Sequence, residues 1–188
     1  MKNKPGFDIK PDGPISKEFL DRNIQTFTEA AEFVQHLPYH RNKNKTDLST
    51  VFTDNCGTCS TKHGVLKLLA NENNFEGLEL VIGLFKMNAT NTPAIAKTLE
   101  ENQLDYIPEA HCYLKFNNEI MDFTKPDFKP ANYINELIEE FIIAPTQVND
   151  FKVSYHKDYL TKWLAENKTR LSPDEIWAIR EQCIRDLS

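Results

Sequence analysis

The 188-residue sequence predicts an α+β fold in which one helix packs on an antiparallel sheet and further helices close both ends. Three stretches carry that prediction. From Cys59 onward Val65, Leu66, Leu68, Leu69 and Ala70 recur at helical intervals until the polar run 71–74. Residues 78–85 form a near-continuous apolar run of strand length, which suits the centre of a sheet. Two β-prone segments, 110–116 and 119–124, flank Asn117-Asn118 and read as a hairpin.

The remaining elements follow in chain order. Residues 1–14 hold three prolines, two glycines and little apolar periodicity, and read as a flexible N-terminal arm before a single domain over 15–188. Thr26 and Glu29 have capping-box spacing, and Phe27, Ala30, Ala31, Val34 and Leu37 mark a helix that Pro38 stops. The polar stretch 39–54 reads as a long loop leading into Cys59. Thr92-Pro93 opens a short helix to about Glu101. Residues 133–140 read as helical, with 141–144 or 151–155 supplying a further strand. Residues 157–167 and 172–187 read as terminal helices, the second opened by the capping box of Ser172 and Glu175.

Composition narrows the function classes. A net charge of -6, with only the short basic run 40–45, argues against a surface that neutralises phosphates, so no nucleic-acid partner is expected. No apolar stretch approaches the roughly 20 residues that span a bilayer, and no membrane partner is expected. The N-terminus lacks the apolar core of a signal peptide, which points to a soluble cytoplasmic protein whose four cysteines are thiols.

The chemistry concentrates on three residues. Cys59 opens a helix, where free N–H groups and the dipole favour a thiolate. His111, on a strand, is placed to hold the thiol proton and deliver it to a leaving amine. Asp122, on the antiparallel partner strand, is placed to fix the tautomer of that histidine. Tyr39, His40 and Asn55 on the preceding loop, and Glu109 beside His111, are candidates for lining a cleft. Cys112 alternates away from His111 and reads as core, as does Cys183 on the last helix.

Gly57-Thr58-Cys59 opening a helix, then His111 on a strand, then Asp122 after a hairpin, resembles the core of the transglutaminase-like superfamily, over about a third of the chain. Tyr113 matches an aromatic often found there two residues beyond the histidine, and Ser60 stands where an aromatic often follows the cysteine. The resemblance implies a helix packed on an antiparallel sheet and thiol-based acyl chemistry on a small-molecule or peptide amide through a thioester, with no cofactor. Three other readings remain open. In the first, the site persists only as a non-catalytic or regulatory binding cleft. Cys56-Gly57-Thr58-Cys59 fits a thiol-disulfide oxidoreductase motif, in which Cys56 is the reactive thiol. Cys56, Cys59, His63 and His111 or Cys112 supply enough ligands for tetrahedral zinc. His63, one helical turn beyond Cys59, is also an alternative base.

Overall fold

The computed structural model describes residues 5–187. Among them the order is α1 (Pro14–Leu20), α2 (Phe27–His36), α3 (Thr50–Thr53), α4 (Cys59–Glu72), β1 (Leu78–Asn88), α5 (Ala96–Glu101), β2 (Tyr106–Phe116), β3 (Glu119–Met121), β4 (Leu137–Ile143), α6 (Asp150–Glu166) and α7 (Pro173–Asp186). The four strands form one antiparallel sheet in the order β3-β2-β1-β4, and the architecture is α+β.

β1 lies inside the sheet because both of its faces are apolar. Leu78, Leu80, Ile82 and Leu84 join Ala110, Cys112 and Leu114 of β2 on one face, packed against Phe19 of α1, Val34 of α2 and Leu66 and Leu69 of α4. Val81, Phe85 and Met87 join Ile107 and Tyr113 on the other, against Leu160 and Trp163 of α6 and Ile176 and Ile179 of α7. Burying each such aliphatic side chain contributes about 1.5–3 kcal/mol, which explains an uninterrupted apolar run in an antiparallel strand.

The hairpin forms as its sequence predicts. Asn117 and Asn118 both take positive φ, 50° and 62°, the left-handed pair a two-residue turn needs and asparagine tolerates. β3 is short and pairs only with Leu114–Phe116, so β2 has no strand partner on that side at His111. That open edge is where the candidate residues gather.

Several segments differ from the sequence reading. Residues 1–4 of the expected arm lie outside the described residues. The rest of it is docked: Phe7 stacks on Phe75 at 4.8 Å, the Ile9 N–H donates to Gln25 O at 2.7 Å, and Ile9 is buried. Residues 133–140 are not a helix. A 3₁₀ turn over Ile134–Glu136 leads into β4, because the second edge of β1 takes a partner there. Residues 151–155 belong to α6, whose Lys152, His156, Leu160, Trp163 and Leu164 are buried at helical spacing, so only 137–143 supplies the extra strand. The polar loop before Cys59 includes α3, which buries Val51 and Phe52.

Candidate active site

The first turn of α4 is held by its own sequence. The Thr61 hydroxyl accepts from the Thr58 N–H at 3.0 Å and donates to Asn42 Oδ1 at 2.8 Å, and Asn42 Nδ2 donates to Cys56 O at 2.9 Å. Gly57 donates from its N–H to Pro38 O and accepts from the His40 N–H. A Cβ at position 57 would stand 2.9 Å from Thr61 Oγ1 and 3.0 Å from Lys62 Cγ, so the close approach of loop and helix requires glycine. Lys62 is buried and donates to Leu37 O at 2.6 Å and Thr124 O at 2.7 Å, tying α4 to α2 and to the chain just past Asp122. Burial lowers the Lys62 ammonium pKa to about 8.

The geometry brings Cys59, His111 and Asp122 together. His111 Nε2 donates to Asp122 Oδ2 at 2.6 Å. Asp122 lies one residue beyond β3 rather than on it, and its oxygens also accept from the Tyr133 hydroxyl at 3.0 Å and the Thr124 N–H at 2.9 Å. Burial alone would raise the Asp122 pKa, but the His111 charge and hydrogen bond hold it at about 2. Burial alone would lower the His111 pKa, but the charges of Asp122 and Cys59 raise it to about 10. With Nε2 committed to Asp122, Nδ1 is the ring nitrogen left for Cys59, with which His111 interacts by hydrogen bond and charge. Phe128 and Tyr133 meet the imidazole edge to face at 5.3 and 5.2 Å, and His111 is 6% exposed, so the ion pair is shielded from water.

The Cys59 thiol is held well below its ordinary pKa. The Cys112 thiol donates to it, burial opposes, and the cations of Lys152 and His111 favour the thiolate. Cys112 shifts the opposite way and stays a thiol. It faces the core as expected, yet its sulfur lies 3.6 Å from Ser60 Oγ and takes part in the site. Lys152 on α6 is buried, with Nζ 3.6 Å from Cys59 Sγ and 2.8 Å from Ser60 Oγ. Lys152 and Tyr133 escaped the sequence reading because both fall in segments assigned other secondary structure. The 152/156/160 apolar-face spacing was the available signal for Lys152.

His63 is not a base for Cys59. Its Nε2 accepts the Phe123 N–H at 2.7 Å, which leaves the ring proton on Nδ1, and Nδ1 donates to Cys59 O at 2.8 Å. Burial lowers its pKa, so it is a neutral clamp between the α4 turn and the segment after Asp122. The zinc set of Cys56, Cys59, His63 and His111 is not assembled, since His63 has spent both nitrogens and no group of three or more suitable ligands occurs among the described residues. Burial and Asp54 raise the Cys56 pKa while that of Cys59 falls, the reverse of the order in which the redox motif uses its two thiols.

Two cavities, of about 270 and 300 Å³, open on either side of Cys59, and Tyr39, Cys59 and Ile184 line both. His111 and Glu109 line the second, with Phe85 and Phe128. Glu109, a candidate for lining a cleft, does line one, as a buried ion-pair member. It is 5% exposed and paired with Arg180 through Oε1 at 2.5 Å and Oε2 at 2.7 Å. Arg180 lines the first cavity, so this ion pair joins the walls of the two. His40 and Asn55 are exposed and line neither cavity, Asn55 serving the turn before Cys56 with φ of 50°. No helix among the described residues is long and apolar enough to cross a membrane. Compared with known proteins, the chain matches no protein-family model, no curated protein and no solved structure.

Proposed function

We propose that this chain carries out thiol-dependent acyl chemistry on an amide, with Cys59 as nucleophile, His111 as acid and base, and Asp122 as the residue that orients and stabilises the imidazolium, on a transglutaminase-like core. The observation that carries the reading is the buried Cys59–His111–Asp122 relay, whose 2.6 Å histidine-carboxylate bond leaves Nδ1 for a thiol of depressed pKa at the junction of two cavities. The Cys59 thiolate adds to the carbonyl carbon, and the developing oxyanion faces the N-terminus of α4. The C–N bond then breaks as the His111 proton passes to the leaving nitrogen, leaving a thioester. Water or an amine, deprotonated by His111, attacks the thioester and releases Cys59 as thiolate with His111 again protonated.

The test uses p-nitrophenyl acetate as acyl donor and peptide mass spectrometry to locate the adduct. The expected result is an acetyl group on Cys59, removable by hydroxylamine, absent in Cys59→Ala and formed slowly in His111→Ala. Acetylation spread over surface lysines with Cys59 unmodified sinks the reading in favour of a binding cleft.

A further inference from the structure

We propose that the acyl group transferred to Cys59 carries a second carboxylate, recognised in the first cavity; the inference rests on the acyl chemistry proposed above and names its substrate class. The two cavities divide the substrate between them. His111 lines only the second, so the nitrogen it protonates leaves on that side, among Phe85, Met87 and Phe128. The acyl half then occupies the first, which is walled by Thr58, Ser60 and Thr61 of the α4 first turn.

That first cavity is cationic, although the chain as a whole carries a net charge of -6. Arg41 is paired with Glu181, and Arg180 with Glu109 and Glu181. Three cations remain with no carboxylate partner among the described residues, Lys45, Lys152 and Lys157, against one unpaired carboxylate, Asp150. His156 adds no charge near neutrality, since burial lowers its pKa to about 4. Lys152 is the anchor: it is 7% exposed, no carboxylate among the described residues lies within ion-pair distance of it, and its Nζ lies 3.6 Å from the Cys59 sulfur. Lys45 and Lys157 are exposed and sit at the rim. A buried cation is stabilised by a bound anion, and a cavity of about 270 Å³ accommodates a short dicarboxylic acyl chain. The second cavity has no comparable surplus, since Asp127, Asp186 and the Arg180-paired Glu109 line it beside Lys125 and His111.

The experiment compares three iodoacetamides with identical reacting atoms and different N-substituents, carboxyethyl, propyl and aminoethyl. Each rate of Cys59 labelling in the full chain is divided by the reagent's rate with free 2-mercaptoethanol. At low ionic strength the carboxyethyl reagent is expected to label Cys59 about fivefold faster than the propyl reagent, and the aminoethyl reagent slower. In Lys45→Glu/Lys157→Glu, where both changes are at exposed positions, the ratio of the carboxyethyl to the propyl rate is expected to fall severalfold, Lys152 keeping the remainder of the advantage. Equal rates for carboxyethyl and propyl reagents, or a rate ratio that the double substitution leaves unchanged, overturn the carboxylate proposal and leave the acyl chemistry standing. If the propyl reagent labels Cys59 no faster than it labels the same thiol in urea, the acyl chemistry fails and the carboxylate proposal falls with it.

Discussion

The two ends of α4 each place an anion against a helix N-terminus, and they use it in opposite ways. At its start, the Cys59 thiol is drawn well below its ordinary pKa by Cys112, Lys152 and His111. At its end, Glu72 reaches to the start of α1, where its carboxylate accepts from the Ile15 N–H at 3.0 Å, the Ser16 N–H at 2.6 Å and the Ser16 hydroxyl at 2.7 Å. Glu72 does the work that the N-cap residue, Gly13, has no side chain to do. A Cβ on Gly13 would lie 2.2 Å from Glu72 Cδ, so the carboxylate fills that space. The carboxylate takes three donors and lines neither of the two cavities beside Cys59, which makes it a structural clasp. The sulfur has weaker, longer contacts and opens on two cavities, so its charge remains available to an electrophile.

Four perturbations test that contrast, beginning with the largest. His111→Ala removes one cation from Cys59 and raises its pKa, so at pH 6 iodoacetamide labelling should slow about a hundredfold. The rates of the two proteins should converge above pH 9, where an ordinary thiol is ionised too, and a parallel offset at every pH would contradict the ion pair. Asp122 comes next, with a folded pKa of about 2. A depressed carboxylate pKa contributes stability that is present above the unfolded value and lost as pH falls through the folded one. Urea denaturation should therefore show wild type losing about 2 kcal/mol from this group between about pH 4 and pH 2, a loss that Asp122→Asn does not share. Glu72→Gln should lower stability by about 1.5 kcal/mol in urea while leaving Cys59 labelling of the folded protein unchanged. A change in labelling rate would mean that the two ends of α4 are coupled. The smallest effect belongs to Tyr133→Phe, which removes one of three donors to Asp122 and should cost about 1 kcal/mol. It should also shift the pH-labelling profile upward by less than Asp122→Asn does.

What the sequence made legible is what local chemistry decides. Thr26 with Glu29 and Ser172 with Glu175 form the expected capping boxes, and Asn117-Asn118 forms the expected turn. The hairpin explains why His111 and Asp122, eleven residues apart, could be paired from sequence alone. Lys152 lies 93 residues from Cys59, and no local pattern records that separation. Only residues 141–143 of β4 were legible as strand; the first half depends on an open edge of β1 that exists only once the sheet has formed, and tertiary pairing overrode local propensity. The docked segment at Phe7 and Ile9 likewise depends on Phe75 and Gln25, partners that its own composition does not announce. The ion pair that buries Glu109 is equally invisible locally, because its partner, Arg180, arrives from α7.

The clamp made by His63 has a consequence for how the site comes into being. It closes only when the carbonyl of Cys59 and the N–H of Phe123, sixty-four positions apart in the chain, are both in place, and the Lys152 ammonium must come from further still. Before those segments meet, Cys59 is an ordinary thiol on a marginal helix, mostly protonated at neutral pH. Activation of the sulfur is thus a late product of folding, and a misassembled or locally opened chain loses it at once. Under the acyl chemistry proposed above, the rate at which Cys59 is labelled in mild acid becomes a meter of the correctly folded population.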